Sequence, residues 1–167
     1  MGMIGNLYRV SPEELEEILR NSSILEDKVY SEDQISSEYL LDLDKSWEGI
    51  FYLLTGFGIN DMEEVKPPLS WAIFGEQMID EEQDMGYGPA TYRTPEQVKV
   101  LNLALATISE DTLHERYNSK AMMEAGVYPQ IWDQEEAFEY LQENFKQLKE
   151  FYAIAEKEQN AVISFLN

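Results

Sequence analysis

The chain has 167 residues, 44% of them hydrophobic and none of them cysteine, with 33 acidic side chains against 12 basic ones and a formal net charge of −21. That length suits one domain, which buries about 70% of its unfolded surface without a metal or disulfide staple. The composition excludes disulfides, thiolate metal sites and cysteine nucleophiles, and the lack of any Lys/Arg cluster excludes a grip on nucleic-acid backbone or anionic membrane.

No apolar stretch approaches the ~20 residues of a membrane span, and no basic-then-apolar leader opens the chain, so a cytoplasmic location is expected. Met1-Gly2 begins like a myristoylation site, but Asn6 stands where Ser or Thr is needed. The acidic excess reads most simply as solubility or adaptation to a salty cytoplasm. Its sharper reading is a basic protein partner.

Residues 3–10 read as a strand. Ser11-Pro12-Glu13-Glu14 is a capping box with proline at the first helical position, and Leu15, Ile18 and Leu19 give a short amphipathic helix to about Asn21. Residues 22–43 are ambiguous, with Val29-Tyr30 a candidate short strand. Asp44 is placed as the N-cap of a helix carrying Trp47, Ile50, Phe51 and Leu54, which Thr55-Gly56 ends. Residues 57–68 form a loop, and residues 69–79 read as an inner strand, apolar on both faces. Asp80-Glu81-Glu82-Gln83-Asp84 is a solvated acidic loop.

The most tightly specified stretch is Gly86-Tyr87-Gly88-Pro89-Ala90-Thr91-Tyr92-Arg93-Thr94-Pro95-Glu96-Gln97. Two glycines and two prolines fix its backbone and hold Tyr87, Tyr92 and Arg93 on a stiff surface. Thr94 is the N-cap, Pro95 the first helical residue and Gln97 the partner that closes a capping box. Val98, Leu101, Leu105 and Ile108 then form a helical stripe. Ser109 caps a further helix with Leu113 and Tyr117 inward, and residues 119–125 form another turn, with Met122 or Met123 buried and Gly126 at its end. Residues 127–132 are extended or turn-like, because Tyr128 precedes a proline. The longest helix begins at Asp133 with a seam of Phe138, Leu141, Phe145, Leu148, Tyr152 and Ala155, and residues 161–166 close the chain as a strand. The sum is one α+β domain over residues 1–167, a small mixed sheet flanked by helices in an α/β/α-like layering.

Four blocks together resemble the YfbM-like family of small bacterial proteins of unknown function. They are Met1-Gly2-Met3-Ile4 with Ser11-Pro12-Glu13-Glu14-Leu15, Trp47-Glu48-Gly49-Ile50-Phe51-Tyr52-Leu53-Leu54-Thr55-Gly56, Gly86-Tyr87-Gly88-Pro89-Ala90 running to Thr94-Pro95-Glu96, and Tyr128-Pro129-Gln130-Ile131-Trp132. The resemblance spans almost the whole chain in order. It implies helices on both faces of a sheet and implies no reaction. Two positions depart from the family pattern: Phe51 stands where a histidine is frequent, and Thr91 where an arginine is, with Arg93 two residues later.

His114 is the only histidine and reads as a surface residue, so a catalytic triad or His-based metal site has no centre. Asp80, Glu81, Glu82 and Asp84 lack the order of a calcium loop. Gly86-x-Gly88 lacks both the dinucleotide and the Walker pattern. No cofactor or metal is expected. The free N–H groups after Thr94, with Arg93 before them, offer a weak anion site, while a capped helix with Arg93 in a salt bridge is the plainer reading. Trp47 and Trp71 are assigned to the core.

Two functions are carried forward. The first is a non-enzymatic binding protein with an acidic surface for a basic protein partner, immunity- or inhibitor-like. The second is a small-molecule or anion-binding domain, with or without catalysis, whose pocket is built from Tyr87, Tyr92, Arg93, Thr94 and Trp132. Oligomeric state is not legible.

Overall fold

In the computed structural model, residues 2–32 and 35–167 are described. Met1, part of the first resembling block, lies outside them. The chain opens with strand β1 (Gly5–Val10), which passes through Ser11 into helix α1 (Pro12–Arg20). The Ser11 hydroxyl accepts from the Glu14 N–H at 3.1 Å, as the capping pattern requires. The Glu14 carboxylate does not return to the cap; it turns to Tyr8 and Lys28.

Helix α2 (Ser23–Tyr30) replaces the short strand expected at Val29-Tyr30. Leu25 and Val29 lie one helical turn apart and join one apolar cluster with the β1 side chains Tyr8 and Val10, so tertiary burial overrides the β-propensity of the Val-Tyr pair. Strand β2 (Leu40–Asp42) follows. Asp44 is not a side-chain cap: its φ is 50°, its own N–H is held by Asp42 Oδ1 at 2.7 Å, and a 3₁₀ turn (Asp44–Ser46) leads into α3 (Trp47–Thr55). Gly56, with φ 84°, ends α3 in the left-handed conformation expected of it.

The inner strand expected over residues 69–79 is not formed. Leu69–Ala72 is a 3₁₀ helix, and only Gln77–Met78 (β3) pairs, as an exposed edge strand. The apolar residues of this stretch are buried instead by helices, Trp71, Ala72 and Ile73 packing into the cluster that holds α3 and the next helix. Strand β4 (Thr91–Arg93) leads to helix α4 (Pro95–Ala106), where Thr94 and Gln97 form both halves of the predicted capping box. Helices α5 (Glu110–Arg116) and α6 (Ser119–Glu124) are each capped by a side chain, Ser109 and Asn118. Helix α7 (Ala137–Lys157) starts at Ala137 rather than Asp133, after turns with no side-chain cap. It buries Leu141, Phe145, Leu148, Tyr152 and Ala155, the large members at about 1.5–3 kcal/mol each. Strand β5 (Ala161–Leu166) closes the chain as expected.

The sheet order is β2-β1-β5-β4-β3, and every neighbouring pair is antiparallel where a mixed sheet was expected. The α+β reading and its layering hold. Alternation along β1 and β5 sends Leu7 and Val162 to a large core with α3, α4 and α7, and Tyr8, Val10, Ala161, Ile163 and Phe165 to a smaller core with α1 and α2. Among the described residues no helix is long and apolar enough to cross a membrane.

Candidate functional site

The five residues expected to share a pocket are distributed through the fold. Tyr87 is exposed in the loop before β4. Tyr92 packs into the smaller core, while Arg93, its neighbour on the same strand, faces the larger one and is completely buried. Thr94 is engaged as a cap, and Trp132 is buried, its indole N–H donating to Val127 O at 2.8 Å. None of the five lines the major cleft described below.

Arg93 departs most from expectation. It is not a surface arginine, and among the described residues it meets no carboxylate. Its Nη1 donates to Trp71 O at 2.9 Å and its Nε to Val162 O at 3.4 Å, while Nη2 makes no hydrogen bond among the described residues. Burial pushes the guanidinium pKa down and, beside it, pushes the Tyr152 hydroxyl up. Tyr152 donates to Ala72 O at 2.8 Å, so the two side chains together tie the 3₁₀ turn to the sheet and to α7. The role is structural bracing, and no cation is left there for a solvent-borne anion.

Three of the four family-like blocks meet in one structural hub. The Trp47 indole donates to Met3 O at 3.0 Å, and the Tyr128 hydroxyl accepts from Met3 N–H at 2.9 Å. Glu48 is only 3% exposed, and its two oxygens accept from Ile59 N–H at 3.1 Å and Tyr128 N–H at 2.9 Å. Gly49 is needed because a Cβ there would come within 2.7 Å of Trp132 and 2.6 Å of Leu141. The two departures from the family pattern also converge. Phe51 packs edge-on to Phe74, and Thr91 Oγ1 accepts from Gly75 N–H at 2.8 Å and pairs with Ser164. These blocks hold the architecture together, and none of their residues lines the major cleft apart from Ser11 and Glu14.

That cleft has a volume of about 930 Å³ and lies where the β1–β2 edge, the start of α1 and the C-terminal half of α7 approach one another. Its walls carry four carboxylates, Glu14, Glu38, Glu150 and Glu158, with Tyr39, Phe151 and Ile154 between them. Arg9 is its one cation among the described residues and is 5% exposed. The guanidinium is already committed: Nη1 to Asn160 Oδ1 at 2.9 Å, Nε to Glu38 O at 3.2 Å, Nη2 to the Glu38 carboxylate at 3.5 Å, and its face 4.5 Å from the Tyr39 ring centre. Tyr8 supports the wall from β1, its hydroxyl donating to Glu14 at 2.7 Å. Burial first, then that carboxylate, push the Tyr8 hydroxyl well above the ordinary tyrosine range. Chemically the cleft offers anionic acceptors over an aromatic and aliphatic floor.

Sequence reasoning missed this site because its parts lie far apart in the chain. One signal was readable: Glu150, Ile154 and Glu158 recur at helical one-turn spacing outside the buried seam, so an apolar side chain is left exposed between two carboxylates.

Compared with known proteins, the chain matches the family described as "Domain of unknown function (DUF1877)" over residues 1–165. Protein YfbM of Escherichia coli (strain K12) is 27% identical over 137 residues, 81% of this chain and 78% of that protein. The crystal structure of YfbM from Escherichia coli, titled a protein of unknown function, superposes with a TM-score of 0.75 at 20% identity, covering 98% of this chain and 99% of that one. At that identity the likeness speaks for the fold.

Proposed function

The chain belongs to the DUF1877 family, and from that premise we propose that it is a binding module whose acidic cleft receives a basic segment of a partner protein. The observation that carries this reading is the imbalance of the cleft: among the described residues four glutamates face a single arginine, each of whose three nitrogens already has a partner. A cationic side chain entering the cleft meets carboxylates without displacing structural bonds at Glu150 or Glu158. Its aliphatic stem finds Phe151 and Ile154, and its charged head can approach Tyr39. The net charge of −21 steers such a partner from a distance and raises the association rate at low salt. The same charge disfavours nucleic acid and anionic membrane as partners.

The test uses a fluorescent peptide of alternating arginine and leucine, titrated by polarisation against the whole protein. Saturable binding is expected that weakens roughly tenfold between about 20 and about 300 mM salt. Glu150→Gln/Glu158→Gln, two exposed changes with no structural partner, should weaken it several-fold. Equal binding by this double variant would reject the cleft.

A further inference from the structure

Of the four cleft carboxylates, Glu14 is set apart by how it is held. It occupies the third position of α1, where a capping-box glutamate would reach back to the Ser11 N–H. Instead it faces the cleft wall, fixed by the buried Tyr8, whose hydroxyl donates to Oε1 at 2.7 Å. Its backbone is held as well, by the Ser11 hydroxyl. The carboxylate is therefore positioned before any ligand arrives.

The same oxygen, Oε1, also meets the ammonium of Lys28 from α2. Oε2 accepts no hydrogen bond among the described residues. Lys28 differs from Arg9 in every respect that governs displacement. Its side chain is 40% exposed against 5% for Arg9, it makes this one contact, and it does not line the cleft. The pair is part-buried, with the Glu14 side chain 24% exposed, but among the described residues Lys28 has no second partner to hold it, so an incoming cation with a better fit can replace it. Glu38 is pinned by Arg9, and Glu150 and Glu158 have no cation partner among the described residues. Among the four, Glu14 is the preset anion carrying an internal cation that is held by a single contact.

We infer that Glu14 is the anchoring subsite of the cleft, selective for an arginine side chain, and that Lys28 is an intramolecular placeholder which the ligand displaces. This rests on the cleft reading above. Arginine is selected because a guanidinium spans both carboxylate oxygens with two parallel N–H bonds, whereas an ammonium is a point donor. Lys28 uses one oxygen and leaves the other open, so the arriving guanidinium gains a bond that Lys28 does not make. Tyr8 keeps its bond to Oε1 throughout and fixes the plane in which the fork must arrive.

The experiment compares two fluorescent peptides, one alternating arginine with leucine and one alternating lysine with leucine, against wild type, Lys28→Met and Glu14→Gln. Lys28→Met should tighten the arginine peptide several-fold, because a competitor is removed. Glu14→Gln should weaken it and erase the preference for arginine over lysine. Urea unfolding of each variant confirms that the fold persists, and Lys28→Met, a change at a half-exposed side chain, keeps the test open if Glu14→Gln unfolds. Unchanged or weaker binding by Lys28→Met overturns the placeholder role. Wild-type binding that depends on Glu150 and Glu158 yet ignores Glu14 and Lys28 overturns this subsite while leaving the cleft reading intact. Failure of both peptides to bind wild type overturns the cleft reading itself.

Discussion

Replacing Glu48 by glutamine tests whether the family-like blocks are a structural hub. Glu48 is 3% exposed, and its carboxylate accepts from two backbone N–H groups, Ile59 at 3.1 Å and Tyr128 at 2.9 Å, brought from separate segments of the chain. Glutamine keeps one acceptor oxygen and turns an NH₂ group toward the other N–H. One charge-assisted hydrogen bond is lost, at about 1.5–3 kcal/mol, and the orphaned N–H costs about 1–3 kcal/mol. The two figures describe largely the same event, so the expected loss is about 3 kcal/mol. In a chain of this size that corresponds to a fall in Tm of about 6–12 °C. Urea unfolding followed by tryptophan fluorescence reads it directly, since Trp47 and Trp132 border the site. Glu48→Met, which leaves both N–H groups without an acceptor, should cost more than Glu48→Gln. A glutamine variant within about 0.5 kcal/mol of wild type, the range of an ordinary surface change, would refute the reasoning.

Gly75→Ala should cost at least about 3 kcal/mol, because its Cβ would sit 2.1 Å from the backbone oxygen of Tyr92 and strand β4 would have to move; equilibrium unfolding checks this. Arg93→Met should lose about 1–3 kcal/mol, because the carbonyls of Trp71 and Val162 lose a buried donor while relief of the cation's desolvation offsets part of that loss. Arg93→Ala, which leaves a cavity, should lose about 3–5 kcal/mol in the same assay. The Tyr8, Tyr140 and Tyr152 hydroxyls are all pushed up, by burial first. Their folded pKa values lie above the unfolded one near 10, so their contribution is full below about pH 10 and is lost as pH rises through the folded values, by up to about 1.4 kcal/mol per pH unit for each group. Stability measured from pH 9 upward should therefore fall, and Tyr8→Phe should make that fall shallower.

Local chemistry made several elements legible. Ser11 and Thr94 each precede a proline at the first helical position, and both start their helices as expected. The seam of α7 and the apolar run of β5 carried their own periodicity. The failures lie where burial is supplied from a distance. Residues 69–79 are apolar enough for an inner strand, but helices cover them and the backbone carbonyls of Trp71 and Ala72 are taken by Arg93 and Tyr152. Tyr92 and Arg93 were expected on one wall; once residues 91–93 form a strand, adjacent side chains point to opposite faces. The cleft was hidden because Arg9, Glu38 and Glu158 meet only through the β1–β2 pairing and the return of α7 over that edge. Only the Glu150–Ile154–Glu158 stripe announced it locally.

The most direct test of the acidic cleft is residue-resolved. Backbone amide chemical shifts of the ¹⁵N-labelled protein are followed during titration with the alternating arginine–leucine peptide. The account predicts saturable shifts concentrated at Tyr8, Arg9, Glu14, Tyr39, Ile154 and Glu158. Shifts centred instead on Tyr87 and Thr94, or spread over the acidic surface without saturation, would contradict it.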